Sequence, residues 1–135
     1  MIKLINLNPI ITENKPGQLV NLNISEICKN NQLIFNPNHS FYINDLNSDQ
    51  SRGNHSNSNA SELLICLSGK FDIQVFNGIK YEKYTITTNN GIFIPKNIWI
   101  EFNNFENCII LAYVDINYII EKKSIYDLEE YKKCI

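Results

Sequence analysis

Short apolar runs separated by turn residues fill this chain from end to end. The stretches 63–67, 71–76, 81–87, 92–94, 98–102 and 108–114 are rich in Ile, Val, Phe, Tyr and Thr. They are too short for helices, so the spacing predicts strands. In residues 71–76, alternation puts Phe71, Ile73 and Val75 on one face and Asp72 and Gln74 on the other. Ser68-Gly69 and Asn77-Gly78 punctuate the runs. Asn77-Gly78 predicts a hairpin, because both central positions of a type I′ turn need positive φ. Asn90-Gly91 predicts another turn, and Pro95 ends the strand before it. Weaker strands are expected around 3–7, 18–23, 32–35 and 41–44. Residues 125–133 place Leu128 and Tyr131 at helical spacing with Asp127 and Glu129 near the start, which predicts a short terminal helix. Residues 45–61 are polar and aperiodic and read as a loop. Many short strands at regular spacing predict an all-β domain, a sandwich or a barrel.

At 135 residues, 1–135 forms one domain large enough for a core without staples. Hydrophobic content of 44% and charged content of 19% exclude wholesale disorder. A net charge of -2 with no basic block argues against nucleic acid as a partner. No apolar run reaches membrane-spanning length and no leader pattern opens the chain, so a cytoplasmic location is expected. The cysteines Cys28, Cys66, Cys108 and Cys134 are scattered, with no C-x-x-C pair. They indicate neither a zinc site nor a disulfide framework, and Cys66 and Cys108 read as buried thiols.

The candidate chemistry lies in the polar segment. Arg52 is the sole arginine, and His55 is one of two histidines. Arginine offers a planar fork of donors suited to phosphate or carboxylate, so its single use beside a histidine suggests recognition. Loops on rigid scaffolds are where function concentrates. His39, between Asn38 and Ser40, reads as a surface residue.

The spacing His55-x-Asn57-x4-Glu62-x6-Gly69 resembles the first cupin motif, with Asn57 where the second histidine belongs. Downstream, residues 91–99, Gly-Ile-Phe-Ile-Pro-Lys-Asn-Ile-Trp, resemble a strand and turn of the nucleotide-sugar 3,4-ketoisomerases of the WxcM-like group. Arg52-Gly53-x-His55 and the Tyr-rich tail from Tyr118 to Tyr131 add to the resemblance, which covers nearly the whole chain. It implies a single cupin domain, a jelly-roll barrel with a short carboxy-terminal helix, paired as a homodimer with swapped amino-terminal strands. It further implies a dTDP-linked 4-keto-6-deoxy hexose as substrate. The reaction moves the ketone from C4 to C3, supplying deoxyamino sugars for surface polysaccharide. The chain departs from the family at Asn57, at Ile100 where many relatives have His, and at Lys15-Pro16-Gly17.

Such a reaction needs a base, a donor for the developing oxyanion and a grip on the diphosphate. His55 is the one candidate for the imidazole base, with an ordinary pKa of about 6.5; otherwise it is a loop histidine with no role. Arg52 fits the diphosphate, or anchors its own loop. The resemblance places Tyr42 facing the sugar, where it or a water is the catalytic candidate to stand in for the missing histidine; otherwise it is a barrel-wall residue. Trp99 and Tyr113 either pack on the nucleotide or sugar or belong to the core. Glu62 either holds the imidazole in orientation or begins its strand in solvent. Asn57 can donate or accept a hydrogen bond but cannot act as a base. Only His55 and Glu62 remain of the usual cupin ligand set, too few for a transition metal, so no metal or cofactor is expected. Two rivals remain: a catalytically silent cupin that binds a nucleotide sugar or regulates a pathway enzyme, which Asn57 favours, and an epimerase of the related 3,5-acting group.

Overall fold

The structure, a computed structural model, describes residues 1–13 and 16–135. Among these residues the strands and helices run β1 (Lys3–Asn6), β2 (Ile10–Glu13), β3 (Leu19–Asn21), α1 (Ile24–Asn30), β4 (His39–Leu46), β5 (Arg52–Asn57) and β6 (Glu62–Phe76). There follow β7 (Tyr81–Thr87), β8 (Asn90–Ile94), β9 (Trp99–Val114), α2 (Tyr118–Glu121), β10 (Ser124–Ile125) and α3 (Leu128–Lys133). The domain is mostly strand, as the alternation predicts.

The spine is the antiparallel pair β6–β9, which runs from Glu62 opposite Val114 to Phe76 opposite Trp99. β8 and then β1 extend the sheet beyond the first half of β6, while β7 pairs with its second half. β4 and β5 take opposite ends of β9, and β10 adds to β5. β2 and β3 form a separate hairpin.

Two pairs of expected strands turn out to be continuous. Ser68-Gly69 does not end a strand but bends β6, where the register slips between Cys66 and Asp72. Gly69 has φ +72°, and a Cβ there would lie 1.8 Å from the Glu106 carbonyl oxygen, so no side chain fits. On the facing strand Asn104 and Asn107 adopt φ of 53° and 45°, which Asn tolerates better than most residues. The register shifts there, and the two strands pair again from Asp72 opposite Asn103 onward.

Other local expectations shift for identifiable reasons. The hairpin after β6 forms, but its loop spans residues 77–80 and the Asn77 side chain closes it, accepting from the Ile79 and Lys80 N–H groups at 2.8 and 3.0 Å. The turn expected at Asn90-Gly91 falls at Asn89, with φ 66°. Gly91 lies within β8, where a Cβ would meet the Leu64 carbonyl oxygen at 2.5 Å. No strand forms at 32–35; Gln32 turns the chain at φ 56° after α1. That helix buries Ile27 and Cys28, and the Asn23 side chain caps it by accepting from the Glu26 N–H at 3.2 Å.

β6 is buried on both faces in its first half, which explains its unbroken apolar run. Leu64 and Cys66 join Ile73, Ile100, Ile110 and Ala112 in the inner core. Leu63 and Ile65 face the other way, against Ile5, Leu7, Ile27 and Phe93. Cys66 and Cys108 are buried free thiols, as expected.

The terminal helix starts later than predicted because residues 124–125 pair with β5 instead. Asp127 caps it, accepting from the Glu129 N–H at 3.0 Å. Its Tyr131 is 1% exposed, packed against Phe76 and Trp99, and its single hydroxyl proton is shared between the carbonyls of Asn97 at 2.7 Å and Phe76 at 3.1 Å. Tyr131→Phe should lower the unfolding free energy by about 1–3 kcal/mol, because it leaves buried acceptors unpaired. Tyr131→Ala should cost about 3–5 kcal/mol by opening a cavity, and urea titrations followed by Trp99 fluorescence would measure both.

Candidate active site

Residues 52–57, expected as part of a loop, form β5 on the edge of β9. In a regular strand Arg52 and His55 would point to opposite faces. A bulge corrects this: the register slips between Gly53 and His55, with Gly53 at φ +87° and Asn54 at φ 53°. One extra residue therefore brings Arg52 and His55 to the same cavity. A Cβ on Gly53 would lie 2.8 Å from the Ile100 carbonyl oxygen, so the close approach of β5 to β9 also requires glycine.

The cavity holds about 360 Å³ and is walled by Phe41 and Ile43 from β4, Leu64 from β6, and Ile100, Phe102 and Ile110 from β9. Glu62 lies at its inner end, 5% exposed. Asn57 donates from its amide to one carboxylate oxygen of Glu62, and its own oxygen accepts from the Ser124 hydroxyl at 2.9 Å.

The other side of the cavity comes from the tail. The Lys123 N–H donates to the Asn59 side chain at 2.9 Å, and that side chain donates to the Glu121 carbonyl at 2.7 Å. The Ser58 N–H donates to the Lys123 carbonyl at 2.9 Å. Held this way, α2 and β10 bring Tyr118, Lys122 and Tyr126 to the cavity. The Lys122 ammonium hydrogen-bonds the Tyr118 hydroxyl, sits 4.3 Å from that ring centroid, and lies 5.9 Å from the Tyr126 centroid. Tyr126 packs on His55 at 5.6 Å, and Tyr118 on Phe41 at 4.8 Å.

Of the residues expected at the site, the structure brings Arg52, His55 and Glu62 to the cavity, with Asn57 hydrogen-bonded behind Glu62. It does not bring Tyr42, Trp99 or Tyr113 there. Strand alternation points Phe41 and Ile43 inward and leaves Tyr42 66% exposed on the opposite face. Trp99 is core, packed with Phe76 and Tyr131, and Tyr113 packs in the outer cluster. Glu62 does not begin its strand in solvent. His39 is half-buried, stacked on Tyr118 at 5.9 Å. Lys15 lies outside the described residues. Phe41 and Lys122 carried no local signal; Tyr118 and Tyr126 belonged to the Tyr-rich tail that the resemblance singled out.

Electrostatics divide the two titratable groups of the inner wall. Burial lowers the His55 pKa below its ordinary 6.5; hydrogen bonding to the Gly53 backbone opposes this, and the Lys122 and Arg52 cations reinforce it. The imidazole is therefore neutral at pH 7 and able to accept a proton. Burial raises Glu62 to about 7 against the pull of Lys122 and the Asn57 hydrogen bond, with Asp115 adding to the rise. Among the described residues no group of three or more His, Cys, Asp or Glu side chains is placed to hold a metal ion.

The FdtA family model, described as WxcM-like, C-terminal, matches residues 2–135. A TDP-4-oxo-6-deoxy-alpha-D-glucose-3,4-oxoisomerase from Aneurinibacillus thermoaerophilus is 25% identical over 134 residues, spanning 98% of this chain and 91% of the relative. Among solved structures, the WlaRB TDP-quinovose 3,4-ketoisomerase from Campylobacter jejuni is 28% identical with a TM-score of 0.80, covering 98% of this chain and 97% of that one. A 3,4-ketoisomerase from Helicobacter canadensis is 25% identical with a TM-score of 0.81, covering 98% and 96%. Matched from its second residue to its last, and superposing along nearly its full length on ketoisomerase structures, this chain belongs to the FdtA, WxcM-like family.

Proposed function

We propose that the chain is a sugar-nucleotide 3,4-ketoisomerase, converting a dTDP-linked 4-keto-6-deoxy hexose into the 3-keto isomer. The observation that carries this reading is the bulge that delivers Arg52 and His55 to one cavity. The relatives' activities and the family match support it. The C4 ketone acidifies the C3 proton, neutral His55 removes it, and the imidazolium returns it to C4 of the enediolate. Arg52 presents a bidentate fork to the diphosphate. Tyr118 and Tyr126 offer rings for the sugar or base, and Lys122 places a cation where negative charge develops on the sugar oxygens.

The finer architecture is part of the same proposal: a cupin-type jelly roll that pairs as a homodimer by exchanging its amino-terminal strands. The hairpin β2–β3 supports it, since Ile10, Ile11, Leu19 and Val20 are 66%, 44%, 45% and 40% exposed there. Burying them against a second copy would remove apolar surface that a monomer leaves in water. Light scattering at micromolar concentration should give twice the monomer mass. A strictly monomeric mass would overturn the pairing. The setting proposed is cytoplasmic, in deoxyamino-sugar synthesis for surface polysaccharide. Among the described residues no helix is long and apolar enough to cross a membrane.

Thymidine diphosphate should raise the melting temperature by mass action, and Arg52→Lys should reduce that rise because lysine loses the fork. Equal protection in the variant would remove Arg52 from the diphosphate site. His55→Asn should cut solvent deuterium incorporation next to the ketone about 10²- to 10⁴-fold while nucleotide binding persists. The silent-cupin reading, which Asn57 favours, predicts instead that the unaltered protein binds the nucleotide and catalyses neither exchange nor conversion.

A further inference from the structure

We infer that the Glu62 carboxyl is the second proton-transfer group of this active site, carrying the hydroxyl proton between the two adjacent sugar oxygens while His55 carries the carbon-bound proton. This rests on the ketoisomerase reading. Moving a ketone to its neighbour relocates two hydrogens, one between C3 and C4 and one between O3 and O4. One imidazole moving the first is not free to move the second. The position where the family has its other histidine is Asn57, whose amide exchanges no proton in this range.

The chain supplies a replacement by way of that same asparagine. Asn57 donates to one Glu62 oxygen, which anchors the carboxyl. The other oxygen has no hydrogen-bond partner among the described residues, yet no buried side-chain polar atom there is orphaned, so this oxygen opens on the cavity that His55 also lines. A glutamate this buried, held by one neutral amide, is a costly way to fill a β-strand position that Leu64 and Cys66 continue with apolar side chains. O3 and O4 are vicinal, so a single carboxyl can hydrogen-bond both.

The two groups complete the reaction without another reactant. His55 takes the C3 proton, the C3–H electrons form C3=C4, and protonated Glu62 gives its proton to O4, leaving an enediol. Glu62 carboxylate then takes the O3 proton, O3 becomes the carbonyl, and the C3=C4 electrons take the proton from His55 at C4. Both residues end as they began.

The charged and titratable groups facing Glu62 are His55 and Arg52 from β5, Tyr118 from α2, Lys122 just after it, Asp115 after β9 and Tyr126 beyond β10. Their balance, dominated by burial, leaves Glu62 titrating at about 7, so both of its protonation states are accessible near neutrality. The sign of the pH dependence follows. Activity should rise with pH as His55 loses its proton below 6.5, and fall as pH passes about 7 and Glu62 loses the proton it must give to O4.

The test is Glu62→Gln, which keeps the size and still accepts from Asn57, assayed with TDP-4-keto-6-deoxyglucose in deuterated water. The expected result is a kcat lower by about 10²- to 10⁴-fold, loss of the falling limb of the pH profile, and unchanged protection by thymidine diphosphate. Loss of the C3 proton to solvent should continue faster than product forms, since His55 is intact. Wild-type turnover with a variant rate within about twofold and the falling limb in place overturns the proposal and leaves the ketoisomerase reading standing. No turnover by the wild type overturns both. Should the glutamine variant fail to fold, Lys122→Met decides: removing the cation that lowers Glu62 should move the falling limb to higher pH, and an unmoved limb rejects the role.

Discussion

Everything at the site hangs on the antiparallel ladder between Glu62–Phe76 and Trp99–Val114. Its length makes it a spine, and the irregularity at Gly69 lets both halves of each strand stay paired. Edge strands attach to it from both sides. β5 on one end of β9 and β4 on the other give the cavity its opposing walls. Glu62, the first residue of the spine, lies at the cavity's inner end. A change at the bend would reach the site through register rather than contact, since a one-residue slip exchanges inward and outward side chains.

The strands of the second half of the chain were legible because period-two alternation and β-branched composition agree there; Phe71, Ile73 and Val75 are buried as their spacing says. What misled was punctuation. Ser68-Gly69 and the asparagine-rich residues 103–107 look like turns, but facing each other they form a matched bend in two paired strands, a fact about the pair that neither segment shows alone. β5 was hidden for a related reason. Its residues are polar because they line the cavity and bond to the tail, so the usual strand signal is missing.

The site was legible in part. Arg52 and His55 stood out by rarity and by motif, and the bulge joins them. Tyr42 misled because facing depends on register, and alternation from Phe41 turns it outward. Lys122 was invisible: it lies sixty-seven positions from His55, and the bonds that bring it close, from Ser58 and Asn59 to the 121–123 backbone and from β10 to β5, are long-range. Asparagine recurs in these roles. It takes the left-handed turn at Asn54, the bends at Asn104 and Asn107, and the clips at Asn57 and Asn59. A composition that looks like coding bias thus supplies turns with a hydrogen-bonding side chain attached.

The clips at 57–59 have a thermodynamic side. They hold the 121–124 segment by polar contacts, each worth about 1 kcal/mol net, whereas the spine is held by a packed apolar interior. Detaching this flap therefore uncovers the half-buried Tyr118 and Lys122 without disturbing the Leu64–Ile110 interior. The free energy of such an opening lies well below that of global unfolding. Such an excursion is confined to the segment between β9 and α3, because Tyr131 keeps the helix that follows anchored in the interior, and the rigidity that orients Arg52 and His55 need not be surrendered when it occurs.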